Sequence, residues 1–177
     1  MTANASMPWQ LEVTAMPNTS FVYTTYINTT PKQLWQAMID PAFTRRYWGA
    51  TFESDWQVGS TYRWQQNGAT VADPDQIVLE SDPYRRLSYT WHTFTPEWAE
   101  ATGFGDDYRM KAASEPRSKV TFELEPAGET VKLTVVHDGF EPGSTVLEGV
   151  REGWPRILSE LKTLLETGET LAASERT

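Results

Sequence analysis

His92 and His137 are the only two histidines in the chain, and their intrinsic pKa lies nearest neutral. If the protein moves a proton, a histidine is the first candidate. Their placement matches no metal spacing such as H-E-x-x-H. There is no cysteine, hence no thiolate ligand, no cysteine nucleophile and no disulfide. No metal and no cofactor are expected. His137-Asp138 has the composition of an acid–base pair, but adjacent strand residues point to opposite faces, so the two side chains are not expected to meet. Gly103-Phe104-Gly105 lacks the third glycine and the preceding strand of a dinucleotide fingerprint. Asp73-Pro74-Asp75 lacks the ligand register of a calcium loop. No serine stands in a nucleophile elbow. Asn18-Thr19-Ser20 and Asn28-Thr29-Thr30 match glycosylation sequons, which carry no weight without a secretory signal.

The elements that must position these residues are legible from periodicity. Residues 20–28, β-branched and aromatic, read as a strand. Thr30, Pro31 and Gln33 then form a helix start: N-cap, first-turn proline and capping-box partner. Leu34, Trp35 and Met38 are its apolar side. Asp40-Pro41 restarts a second short helix carrying Phe43, Tyr47 and Trp48, which Gly49 stops in a left-handed turn. From residue 51 the period becomes two. Strands are expected over 51–56 and 60–66, joined tightly at Val58-Gly59, with Tyr62 and Trp64 on one face. Asn67-Gly68 is a strong hairpin signal. Further strands are expected over 76–81, 86–94, 119–125 and 131–137. They place Leu87, Tyr89 and Trp91, then Val120, Phe122 and Leu124, then Leu133, Val135 and His137 on shared faces. His92, offset by one from Trp91, is expected to face solvent. Alternation of this kind predicts an antiparallel sheet with one covered face. The cover is a final helix opened by a Thr145–Glu148 capping box. It carries Leu147, Val150, Trp154, Ile157, Leu158, Leu161, Leu164 and Leu165 at three–four spacing and ends at Gly168. Pro155 lies inside it and is expected to kink it. The fold class is α+β: strand, two short helices, six strands and a long terminal helix. A loose leader over 1–17, one domain over 18–168 and a tail over 169–177 complete the division.

Length agrees with one domain, since 177 residues bury a sufficient core without staples. A net charge of −9, from 24 acidic and 15 basic side chains, repels phosphate backbones, and no nucleic-acid partner is expected. No apolar run approaches the length of a membrane span. The opening MTANASMPWQLEV has neither the basic nor the apolar region of a signal peptide, so a cytoplasmic location is expected. Eight Trp, seven Tyr and seven Phe point to a well-filled core or to a lined pocket.

Several strings in order resemble one family. They are TTPKQLWQAMIDPAFTRRYWG at 29–49, Val58-Gly59 before YRW, and PYRRLSYTW at 83–91. SKVTFELE at 118–125, LTVVHDGF at 133–140 and GWPRILSELKTLLE at 153–166 complete the series. Together they resemble the START/Bet v 1-like superfamily, in its branch related to the C-terminal domain of the Hsp90 ATPase activator. The resemblance implies a helix-grip fold, a curved antiparallel sheet wrapped around the long C-terminal helix. It also implies a hydrophobic cavity between sheet and helix that takes an apolar or amphipathic small molecule. The wall of that cavity would be Tyr62, Trp64, Tyr89, Trp91, Phe122, Val135, His137, Trp154, Ile157 and Leu158. Close packing of the same side chains into a dry core is the alternative. A cyclase-, aromatase- or hydrolase-like enzyme using the same cavity, with His137 or a buried tyrosine moving the proton, is a second reading. A chaperone contact is a third, and the superfamily's habit is monomer or weak homodimer. The chain departs from the usual pattern in its leader and in a long loop insert at 95–117, which either caps the pocket or is an ordinary surface loop.

Overall fold

The computed structural model describes residues 19–171. The leader expected over 1–17, the sequon residue Asn18 and the tail beyond residue 171 lie outside the described residues. The first strand, β1 (Phe21–Ile27), is followed by α1 (Pro31–Ile39) and α2 (Pro41–Tyr47). Both helices start as the sequence predicts. The Thr30 and Asp40 side chains accept from the backbone N–H groups of Gln33 and Ala42, and each is followed by a proline at the first helical position.

Seven strands follow: β2 (Ala50–Glu53), β3 (Arg63–Gln66), β4 (Ala69–Val71), β5 (Val78–Asp82), β6 (Arg86–Thr90), β7 (Lys119–Ala127) and β8 (Thr130–Asp138). One more strand than expected appears because Asn67-Gly68, both with positive φ, closes a two-residue hairpin that pairs Gln66 with Ala69 and creates β4. The β2–β3 connection is not the tight turn expected at Val58-Gly59. Glu53 pairs with Arg63, so the chain leaves the ladder for residues 54–62.

Within that excursion Thr61 bridges Ile77, and Tyr62 N–H donates to the Gln76 carbonyl at 3.0 Å. The excursion thereby joins a three-stranded sheet (β2-β3-β4) to a five-stranded antiparallel sheet in the order β1-β8-β7-β6-β5. Gln76, fully buried, stitches the junction. Its Nε2 donates to the Tyr62 and Val71 carbonyls and its Oε1 accepts from Thr93 N–H.

The covered face of the large sheet is the one predicted by alternation. Leu87 pairs with Phe122, Phe122 with Val135, Val120 with His137 and Leu124 with Leu133, all buried. Across this face lies α5 (Thr145–Thr167), which presents Trp154, Leu158, Leu161 and Leu164 to it. Full burial of each such leucine contributes about 1.5–3 kcal/mol. The helix starts one residue earlier than its expected capping box. Ser144 is the N-cap and accepts from Leu147 N–H. Pro155 sits inside the helix, and Gly168 ends it in a left-handed conformation. This is the helix-grip arrangement.

The segment 95–117 departs from the expected loop. It is not a loop but two helices, α3 (Pro96–Thr102) and α4 (Asp106–Ser114). Thr95 caps α3 by accepting from Trp98 N–H, and Pro96 follows at the first helical position. That is the same signature as Thr30-Pro31. Gly103, at φ 78, ends α3.

Candidate functional site

The ten residues expected to wall a cavity do not share one. Between the sheet and α5 the space bounded by Tyr89, Phe122, Trp154, Ile157 and Leu158 amounts to about 10 Å³, at most one water. Val135 and Tyr62 are packed into the core, Tyr62 Oη donating to the Thr90 carbonyl at 2.6 Å. Burial holds the Tyr62 and Tyr89 phenols protonated far above neutral pH.

His137 belongs to this closed region as well. Trp154 Nε1 donates to His137 Nδ1 at 3.0 Å. An indole nitrogen only donates, so Nδ1 is the acceptor and Nε2 carries the hydrogen, which it gives to Ser118 Oγ at 2.9 Å. Both ring nitrogens are engaged, and burial pushes the imidazole pKa down to about 3.

Open space lies to one side, under the insert. A recess of about 140 Å³ is bounded by β3, the segment after β6, the two insert helices and the first half of α5. Four of the ten expected residues line it: Trp64, Trp91, Trp154 and Ile157. Around them stand residues the sequence reading did not assign: Trp48, Gln66, His92, Phe94, Trp98, Phe104, Tyr108, Val146, Gly149, Val150 and Gly153. A smaller recess of about 90 Å³ adjoins it, sharing Trp91, His92, Phe94 and Val146. A larger concavity of about 810 Å³, with the charged Glu53, Asp55, Arg63 and Asp73 among its lining residues, is a groove open to solvent.

The aromatic walls brace one another. Trp48 meets Trp64 edge to face at 5.5 Å, and Trp64 meets Trp91 likewise at 5.3 Å. Phe104 stacks between Trp98 at 5.1 Å and Tyr108 at 4.6 Å. Such pairs add roughly 0.5–1.5 kcal/mol each beyond area burial. Gln66 joins the sheet wall to the insert wall, its Oε1 accepting from Trp64 Nε1 at 3.0 Å and Trp98 Nε1 at 3.1 Å. Because indoles only donate, the carboxamide orientation is set by chemistry.

Two helical glycines shape the floor. Gly149 and Gly153 are one turn apart on the α5 face that lines the recess. A Cβ at Gly149 would come within 2.7 Å of Tyr108 Oη, so this glycine admits α4. A Cβ at Gly153 would meet nothing within 4 Å, so this glycine leaves space.

His92 is not on the solvent face; it is 3% exposed. Strand alternation fails there because β6 ends at Thr90. Beyond it the chain is redirected by Gln76 Oε1 accepting from Thr93 N–H and by Arg117, which donates to the Trp91 carbonyl and to Thr93 Oγ1. Thr93 Oγ1 in turn donates to Asp73 Oδ2 at 2.8 Å. Trp91 and His92 are therefore both buried. Desolvation, opposed in part by a hydrogen bond to Thr93, pushes the His92 pKa down to about 4, so the ring is neutral at physiological pH. The insert and glycine features had signals in the sequence: the Thr95-Pro96 cap and the paired glycines inside a helical pattern. His92 had none, since its burial follows from where β6 stops.

Residues 28–166 match the family described as Activator of Hsp90 ATPase homolog 1-like protein. The chain belongs to that family. Among solved structures the chain is similar to protein MLL2253 from Mesorhizobium loti, at 26% identity, 82% coverage of this chain and 96% of the other, with a TM-score of 0.63. It is similar in fold to the Aha1 dimer from Colwellia psychrerythraea (18% identity, 84% and 97% covered, TM-score 0.59) and to CalU16 from Micromonospora echinospora (18%, 88% and 80%, 0.60). Comparison with curated proteins returned no match. Among the described residues, no group of three or more His, Cys, Asp or Glu side chains could hold a metal ion. No described helix is long and apolar enough to cross a membrane.

Proposed function

We propose that the protein binds a small, flat, apolar molecule in the recess between β3, the α3–α4 insert and α5. The observation that carries this reading is Gly153. A glycine in a helix interior costs about 1 kcal/mol relative to alanine. This one has no positive φ and no neighbour within 4 Å to require it. What it preserves is the space in front of Trp48, Trp64, Trp91 and Trp154. That space, about 140 Å³, is close to the roughly 150 Å³ apolar cavity that accepts one benzene ring. The 95–117 insert then acts as the cap of the site, supplying Trp98, Phe104 and Tyr108. Binding stands ahead of catalysis because His137 has both nitrogens occupied, and burial holds the His92 pKa down to about 4, too weak a base to take a proton at neutral pH.

The test is native mass spectrometry of the wild type and of Gly153→Leu, each titrated with single-ring aromatics, with small-molecule identification after denaturing extraction. The wild type is expected to retain or take up one aromatic molecule, and the folded Leu variant to lose it. Gly153→Ala is expected to raise unfolding stability by roughly 0.5–1 kcal/mol. Undiminished binding by a folded Gly153→Leu protein would remove the recess from the function.

A further inference from the structure

His92 Nδ1 lies 2.8 Å from the Thr93 carbonyl oxygen. A carbonyl only accepts, so Nδ1 carries the hydrogen and Nε2 carries a bare lone pair. Among the described residues, no group donates to that lone pair. Nor is the atom sealed in the core: among the described residues, the buried side-chain polar atoms without a hydrogen bond are Thr44 Oγ1 and Asp138 Oδ1, the latter with only a 3.9 Å charge contact to Lys119. His92 lines both adjoining recesses, and its ring stands 4.4 Å from that of Trp64 and 4.7 Å from that of Trp98.

The orientation of the ring is built, not incidental. Thr93, whose carbonyl fixes the tautomer, is itself held by Gln76, Asp73 and Arg117. An acceptor held in an apolar, low-dielectric site discriminates by chemistry: a ligand donor satisfies it, a ligand lone pair is repelled, and a plain hydrocarbon leaves it unpaired.

We infer that the molecule taken by the recess is a neutral aromatic carrying one hydrogen-bond donor, a phenol or an N–H heterocycle, which donates to His92 Nε2. This rests on the recess being the binding site. A carboxylate-bearing aromatic is excluded by the same logic, since it brings a charge and lone pairs against a neutral acceptor.

Phenol and toluene are near-isosteric probes that differ in the donor, and toluene is the more hydrophobic. Titration of the wild type with each, by calorimetry and by nuclear magnetic resonance, is expected to favour phenol by about tenfold. His92→Leu is expected to reverse the order in favour of toluene. The His92 Nε2 nitrogen resonance is expected to move upfield with phenol and to stay in place with toluene. That measurement decides the matter in the wild type alone should His92→Leu fail to fold. Equal binding of the two probes with an unmoved Nε2 resonance would overturn the donor assignment while leaving the recess as a binding site. Failure of both probes to perturb the Trp64 and Trp98 indole signals would overturn the recess itself, and the donor assignment with it.

Discussion

His92 and His137 are both neutral buried imidazoles, and their hydrogen bonds give them opposite parts. His137 is tied at both nitrogens, between Trp154 and Ser118, and serves to let Trp154 bury its N–H in the core. Trp154→Phe removes the donor and leaves Nδ1 buried without a partner. It is expected to cost about 1–3 kcal/mol for the orphaned acceptor, more with the lost volume, read from the denaturant midpoint. His92 has one nitrogen tied and one free, which is the condition for recognising something else. Alternation along 131–137 was enough to place His137 inside. The same rule sent His92 outward, because it presumes an extended backbone and β6 stops two residues short of it.

At the scale of elements, the insert is anchored to the helix it covers. Glu115, which follows α4, accepts from Ser144 Oγ and from Thr145 N–H at 2.6 Å. A carboxylate there satisfies an otherwise unpaired donor of the first turn of α5 and complements the positive end of its dipole. Tyr108 packs against the space that Gly149 leaves. Glu115→Ala is expected to cost about 1–2 kcal/mol and to raise hydrogen exchange in α3, α4 and residues 144–147, with β7 and β8 unaffected. The Thr95-Pro96 start is legible by the same cap-and-proline rule as Thr30-Pro31. The anchoring is not: Glu115 and Ser144 are 29 residues apart, and no periodicity links them.

For the whole molecule, the buried histidines set a pH dependence. Folding lowers the pKa from 6.5 to about 4 for His92 and to about 3 for His137. The unfolded chain therefore binds more protons than the folded one between about pH 6.5 and pH 3, and stability rises with pH across that window. Acidification from pH 7 to below both folded values is expected to remove roughly 3–5 kcal/mol per histidine, less in combination because the two interact. Urea unfolding at successive pH values measures this, and His92→Leu is expected to flatten the upper part of the slope. The net charge of −9 adds a salt-dependent self-repulsion at neutral pH that protonation of carboxylates relieves, a contribution distinguishable by ionic strength.

Local sequence is enough for the helix starts at Thr30-Pro31 and Asp40-Pro41, the Asn67-Gly68 hairpin, the inward face of β7 and β8, and the apolar stripe of α5. Each is written in spacing over a few residues, where local sterics and one hydrogen bond decide. It also carried the family, through strings whose order survives in the fold. Where space remains depends on how the closed chain packs. Close packing fills the region between sheet and helix that composition alone could not distinguish from a cavity. The residual volume appears instead where Gly153, the end of β6 and the capped insert meet. That meeting depends on contacts between residues 48, 66, 92, 98, 108 and 153, which share no period and no local rule, so the recess and its free imidazole nitrogen exist only once the chain has closed on itself.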